Sequence, residues 1–259
     1  MPCRYPIVLV HGLALKDFRR LRAFGRIEQI LREAGNEVYT ANVDGFGTVE
    51  NNAAQLKRCV EQVLLAHGAE KVNLIAHSKG GLDSKYMIVS LGMADKVASL
   101  TTLCTPHRGS HAADLMLRLP DTLKKPLANG INYAYRTYLG DQNPDAMEAC
   151  RQLQAEITPD ELLTVGNGVY CQSYWAHLKR GSDCFLMGLP MQIYRFLEGL
   201  DSDGLVSQES AKFGNYRGEA IDSSLSHVQV VDLLSTPTQK KKLYRFYTEL
   251  AQELARMGF

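Results

Sequence analysis

The sequence predicts an α/β domain, a mostly parallel central sheet with helices on both faces. Two observations predict it. Apolar runs at 6–10, 37–43, 72–76 and 97–103 alternate with the stretches 51–67 and 79–91, whose apolar residues recur at spacings of three and four, as in Leu56, Val60, Val63 and Leu64. Strands that alternate with helices are joined by crossovers, and crossovers connect parallel strands. The second observation is the run Val72 to Ala76, which stops at His77-Ser78-Lys79-Gly80-Gly81 before a helix-compatible stretch. Strand, sharp turn and helix follow one another, with a serine at the apex.

The elements follow in order. Pro6-Ile7-Val8-Leu9-Val10 is the first strand and leads into His11-Gly12-Leu13. The runs at 37–43, 72–76 and 97–103 supply further strands, and Gly166 to Trp175 is a later candidate. The stretch 238–257 reads as a final helix burying Leu243, Phe246, Tyr247, Leu250 and Leu254 on one face. Between them, 110–163 has no convincing strand; it contains Leu115-Met116-Leu117-Arg118-Leu119-Pro120 and the aromatic residues Tyr133, Tyr135 and Tyr138. It is too long for a plain connection. It reads as an inserted helical cap or lid, or as two extra packing helices, and the sequence does not separate these. There is no internal repeat and no linker, so 1–259 counts as one domain carrying a cap at about 110–163.

The bulk composition excludes several classes. A length of 259 residues suits one large domain with a substantial core. A net charge of +1 gives no electrostatic case for nucleic acid or an anionic membrane. Lys240-Lys241-Lys242 opens the final helix and reads as a solvated face. No stretch approaches the apolar length of a transmembrane helix. No charged and apolar leader with a cleavage site begins the chain, so the expectation is a cytoplasmic protein, or a secreted one with its signal removed. Cys3, Cys59, Cys104, Cys150, Cys171 and Cys184 are scattered without metal-site spacing and read as small buried hydrophobes. Cys171 and Cys184 are the one pair worth testing for a bridge.

The turn at Ser78 is where chemistry enters. A strand-to-helix turn of this kind strains the serine backbone and lifts its hydroxyl clear of the sheet. Small residues two before and two after it, Ala76 and Gly80, let strand and helix approach. This is a nucleophile elbow, and it predicts a serine hydrolase. A serine hydroxyl needs a base, and the base needs an acid to hold its tautomer. On such a sheet the order is serine, acid, histidine. The histidines after Ser78 are His107, His111, His177 and His227; only His227 precedes the last helix, where a loop reaches back over the sheet edge. Asp203, in Leu200-Asp201-Ser202-Asp203-Gly204-Leu205-Val206, is the favoured acid, with Asp201 and then Asp222 behind it. Oxyanion donors are expected at the backbone N–H of Lys79, next to the serine, and of Leu13, after the first strand. His11 and His77 read as structural.

Five segments occur in a fixed order: Pro6 to Gly12, Ala76-His77-Ser78-Lys79-Gly80-Gly81, Thr105-Pro106-His107-Arg108-Gly109-Ser110, Asp203-Gly204-Leu205-Val206 and Ser226-His227. Together they resemble the bacterial triacylglycerol lipases and esterases of the α/β-hydrolase superfamily. The resemblance spans nearly the whole chain and is loosest at 110–163. It implies carboxylic ester hydrolysis, with Ser78, Asp203 and His227 as triad, Leu13 and Lys79 as oxyanion donors, and a mobile lid over an apolar acyl cleft. It also implies a small-molecule or lipid ester substrate met at a lipid–water interface, and no cofactor. The same triad serves an acyltransferase, and a catalytically retired binding module is the alternative from another class.

The chain departs from the family in three places. Gln229 stands two residues after His227, where an aspartate ligand of a structural calcium is usual, and an amide is the weaker ligand. The cysteine that often follows the D-G-L-V segment is absent, with Gln208 and Glu209 there instead. Lys79 replaces the usual histidine or glutamine beside the serine, which suggests a cation favouring acidic esters. A related zinc site needs two histidines and two aspartates, and His107 and His111 lack the matching carboxylates, so no metal is assigned.

Overall fold

A computed structural model describes residues 1–154 and 168–259. Six strands, β1 (Ile7–Val10), β2 (Val38–Ala41), β3 (Val72–His77), β4 (Val97–Leu103), β5 (Tyr170–Trp175) and β6 (Asn215–Glu219), form one sheet in the order β2-β1-β3-β4-β5-β6. Every pairing is parallel.

Successive side chains of a strand point to opposite faces, so β1 feeds two cores. Ile7 and Leu9 pack with Phe24, Ile27, Leu31 and Tyr247, beneath α1 (Ile27–Glu33) and α9 (Pro237–Arg256). Val8 and Val10 pack on the other side with Leu56, Val60, Met87 and Ile88, beneath α2 (Val49–His67) and α3 (Lys79–Ser90). Both faces are covered, as a parallel sheet requires. The start of α9 is fixed by a reciprocal cap: Gln239 N–H donates to Thr236 Oγ1 at 3.3 Å, and Thr236 N–H donates to Gln239 Oε1 at 2.9 Å. Leu243, Tyr247, Leu250 and Leu254 are buried along it as the periodicity predicts, and Phe246 is half-buried at the edge.

Four elements escape the sequence reading, each for a physical reason, and the shortest, α8 (Gln208–Ala211), is a single turn. Helix α1 is only two turns long, too short for periodicity to register. Strand β6 is an edge strand whose five residues are exposed or half-buried, so it carries no apolar run. Helix α7 (Phe185–Glu198) is interrupted in sequence by Gly188 and Pro190, both of which read as breakers. Gly188 is there because the backbone of Gly181 lies against it; an added Cβ would sit 2.2 Å from the Gly181 carbonyl oxygen.

Among its described residues the expected cap carries α4 (His111–Leu117), α5 (Asp121–Ala134), a π turn at Tyr135–Leu139 and α6 (Ala146–Arg151), with no strand. Residues 155–163 of it, and 166–167 of the late strand candidate, lie outside the described residues. The segment after the π turn is pinned to the loops that follow β1 and β2. Asp141 takes Lys16 Nζ at 2.8 Å and Phe46 N–H at 3.0 Å, and Asp44 accepts the N–H groups of Gln142 and Asn143. Cys171 and Cys184 are both free thiols. Among the described residues no helix is long and apolar enough to cross a membrane.

Candidate active site

The site is assembled at the carboxyl ends of β1, β3 and β4, where a doubly covered parallel sheet leaves its loops exposed. Ser78 sits between β3 and α3 with φ of 53° and ψ of −130°, a left-sided backbone conformation that an L residue adopts only when its surroundings impose it. Four contacts impose it here. Ser78 N–H donates to Leu103 O at 2.9 Å, and Thr105 Oγ1 donates to Ser78 O at 2.8 Å. Helix α3 then passes so close to β1 that a Cβ on Gly80 would lie 2.5 Å from the His11 carbonyl oxygen. Gly12 presses on the serine in the same way, its missing Cβ lying 2.6 Å from Ser78 Cβ.

His227 arrives on the loop before α9. Its Nε2 stands 2.9 Å from Ser78 Oγ and its Nδ1 stands 2.7 Å from Asp203 Oδ2. A carboxylate only accepts, so Nδ1 carries the proton and Nε2 is the acceptor facing the hydroxyl. Asp203 is fully buried; its Oδ1 accepts the N–H groups of Leu205 and Val206 at 2.9 and 2.8 Å, leaving Oδ2 for the histidine. His227 N–H also donates to Asp203 O at 2.8 Å, which ties the two loops by backbone as well as side chain.

The fallback acids are elsewhere. Asp201 is a surface group paired with Arg195 at 2.8 Å, and Asp222 is fully exposed. The other described histidine rings also lie apart from the serine hydroxyl. His107 is buried, stacked on Phe213 and bonded to Thr102 Oγ1. His177 stacks on Trp175 beside Glu219. The His11 Nδ1–H donates to Gly12 O at 3.0 Å, holding the loop that carries Leu13. His77 does more than fill space: its Nε2–H donates to His227 O at 2.9 Å, and the two rings are 4.7 Å apart. Burial, with the nearby His227, holds the His77 ring well below its ordinary pKa, so it stays neutral.

Lys79 begins α3, so its backbone N–H belongs to the unpaired first turn of a helix and is open to an anion. Its side chain corrects an expectation. The ammonium is buried and pairs with Asp83 Oδ1 at 2.6 Å, so it is no free cation for an acidic substrate. Asp83, also held by Asn52 Nδ2, has a pKa pushed up to about 6 by burial. A Lys79→Gln variant is therefore expected to leave relative rates on neutral and anionic esters unchanged. It should lower stability by about 1–3 kcal/mol, because the amide still donates to Asp83 but carries no charge. Parallel kinetics on the two ester types and a thermal melt check both halves.

Gln229 does not fit a calcium site. Its Oε1 accepts Ser226 N–H at 2.9 Å, and its Nε2 donates to Asp183 O at 3.1 Å and Leu234 O at 3.3 Å. The group that meets those carbonyls is an NH2, which takes the place a cation would need. The amide braces the His227 loop against Asp183, two residues before α7, a role with no sequence signal of its own. Cys104 is buried, as expected of a small hydrophobe, and it lies beside the site. Its thiol is next to Asp203, and its backbone is left-handed with φ of 53°. Burial first, and then the Asp203 charge, push its pKa well up.

An all-parallel sheet with a strained serine turn, a buried aspartate and a bridging histidine defines the α/β-hydrolase class. The chain belongs to the palmitoyl protein thioesterase family, whose sequence profile matches residues 6–164, a span that includes Leu13, Ser78 and Lys79 and ends before Asp203 and His227. It is similar to a triacylglycerol lipase of Pseudarthrobacter phenanthrenivorans, 40% identical over 167 residues, which are 60% of this chain and 52% of that protein. A triacylglycerol lipase of Pseudomonas fragi is 26% identical over 294 residues, covering 98% of this chain and 97% of the relative. The chain thus spans about half the length of the P. phenanthrenivorans relative and nearly all of the P. fragi one. In structure it is similar to Staphylococcus hyicus lipase, with a TM-score of 0.74 at 17% identity over 98% of this chain and 96% of the other, a likeness of fold. The resemblance to bacterial lipases read from five segments holds against these relatives.

Proposed function

We propose that this chain is a carboxylic ester hydrolase of the lipase and esterase kind, working through an acyl-enzyme on Ser78. One observation carries the reading: an unbroken hydrogen-bond chain from Asp203 through His227 to a serine held in a positive-φ turn at the head of a helix. His227 Nε2 takes the Ser78 proton as Oγ attacks the ester carbonyl. The oxyanion is met by the N–H groups of Lys79 and Leu13. Collapse expels the alcohol, which leaves with the proton from the imidazolium. Water then repeats the steps, releasing the acid and the free serine. Asp203 holds the Nδ1 tautomer and stabilises the imidazolium, and no metal or cofactor enters any step.

A fatty acyl group is the common element of a family named for palmitoyl thioesters and relatives named for triacylglycerols. The same steps cleave an ester or a thioester. Phe46, Leu117, Leu127, Ile131 and Met147 line an apolar pocket beneath α4 and α5, and Leu13 packs against the Phe46 side of it. As α4 and α5 lie, that pocket has a free volume of only about 20 Å³, so an acyl tail enters it when the two helices move aside. We read α4 and α5 as a lid above it; Leu115 and Leu123 are exposed outside the pocket lining, and Met116, Leu119 and Leu127 are exposed residues of that lining.

Helix α7 continues the apolar surface. Its inner residues Met187 and Met191 pack toward Leu205 and Val228, the neighbours of the acid and the base, while Phe185 and Phe196 are 101% and 89% exposed. Such a face suits a lipid–water interface beside the site. Rates on esters and matching thioesters from acetate to palmitate, with and without an emulsified interface, test the substrate class. Long-chain substrates at an interface are expected to be preferred; a monotonic fall from acetate in every format would contradict it. A Phe185→Ser, Phe196→Ser double variant is expected to lose about tenfold on emulsified ester while keeping its rate on soluble butyrate. Equal losses in both assays would remove α7 from the interface.

A further inference from the structure

We infer that Cys104, Asp203 and His227 form a site for a soft or borderline divalent cation, zinc or cadmium, and that its occupation switches the catalytic cluster off. The Cys104 Sγ, a carboxylate oxygen of Asp203 and a ring nitrogen of His227 all lie within 4.8 Å of one another, and all three residues are buried. One thiol, one imidazole and one carboxylate are a donor set that suits zinc and its heavier congener. Tetrahedral bonds of about 2.0–2.3 Å place neighbouring donors about 3.5 Å apart, so small side-chain rotations close the ring, and water completes it.

The backbone of Cys104 supplies a second observation. The residue lies at φ of 53°, its N–H fixed to Tyr174 O at 3.0 Å, in a region where an L side chain costs about 1–2 kcal/mol and glycine costs nothing. The ester-hydrolysis mechanism has no use for a thiol there, yet the chain carries one at a position glycine would fill without strain.

The chemistry of inhibition follows from the tautomer. Binding removes the thiol proton to water, and the cation takes the place of the proton between His227 Nδ1 and Asp203. The imidazole, neutral with Nδ1 on the metal, carries its one proton on Nε2. Nε2–H faces Ser78 as a donor and no longer accepts the hydroxyl proton. Of the three ligands His227 is the one with surface exposure, 5%, so entry requires its ring to swing and inhibition is slow in onset.

The effect on rate rests on the proposed roles of Ser78 and His227; the binding does not. The test uses the full chain, Cys104→Gly, which suits the backbone, and Cys104→Ser, which keeps the size. Each is incubated with zinc at about 100 µM and assayed on p-nitrophenyl butyrate against its own metal-free rate; in parallel, each is titrated with cadmium and its thiolate charge-transfer absorption recorded. The original chain is expected to lose about tenfold or more in rate, recovered with EDTA, and to show one thiolate's absorption beyond either variant. The variants are expected to keep their own metal-free rates. Equal inhibition of all three proteins, no inhibition of the original chain, or equal cadmium spectra would overturn the site. If none hydrolyses esters, the proposed function fails, and the cadmium difference still decides the site.

Discussion

Replacing Ser78 by alanine, or His227 by alanine, is expected to lower ester turnover by about 10⁵–10⁶-fold, and Asp203→Asn by about 10⁴-fold. The ordering comes from the geometry. Ser78 and His227 exchange the proton directly across 2.9 Å, so either loss removes the same step and the double variant is no worse than the single ones. Asparagine in place of Asp203 can still accept the N–H groups of Leu205 and Val206, so the loop survives. Its amide offers donors to Nδ1, which favours the tautomer with the proton on Nε2, the wrong nitrogen for a base. KM should change little in all three, because none of these side chains is invoked in ground-state binding. Additive losses in the double variant would show that serine and histidine do not act as one unit.

The largest effect on stability is expected at Gly80. An added methyl would meet two backbone carbonyl oxygens, those of His11 at 2.5 Å and Val10 at 2.6 Å, and backbone cannot rotate aside as a side chain can. Gly80→Ala should therefore cost about 3 kcal/mol or more, which for a chain of this size lowers Tm by roughly 6–12 °C. Activity should fall as well, since separating α3 from β1 moves the N–H of Lys79 away from that of Leu13. Gly130→Ala in α5 is the control. Nothing lies within 4 Å of its added Cβ, so replacing a helical glycine should stabilise by about 0.5–1 kcal/mol. Thermal melts of the pair check the contrast, and equal Tm values would refute the close approach at the elbow.

These residues also mark what the sequence discloses. Buried parallel strands such as β1 and β3 are continuous apolar runs, and Ser78 is legible because a turn that needs small neighbours writes them into the chain. Asp203 and His227 were found by order along the chain, and the fold brings both to the serine while Asp201 and Asp222 stay at the surface. What was illegible is what depends on long-range contact. Helix α7 was hidden because Gly188 answers to a neighbouring backbone at Gly181, and Pro190 sits in a helix that its buried methionines hold in place. Strand β6 was hidden because an edge strand needs no apolar pattern. The Lys79 ammonium differs from the sequence expectation because its partner, Asp83, lies one helical turn on and the two are buried together. His77 meets His227 across 150 residues of chain, Gln229 reaches Asp183 across 46, and Cys104 lies beside Asp203 from a distant strand end, and contacts at such range leave no local pattern.

The central claim, that Ser78 is the nucleophile activated by His227, is tested most directly by intact-protein and peptide mass spectrometry after treatment with a fluorophosphonate. One adduct on the peptide containing Ser78 is predicted, with loss of esterase activity in step with labelling, and none in Ser78→Ala or His227→Ala. Labelling elsewhere with Ser78 unmodified, or full labelling of Ser78 without His227, would contradict the account.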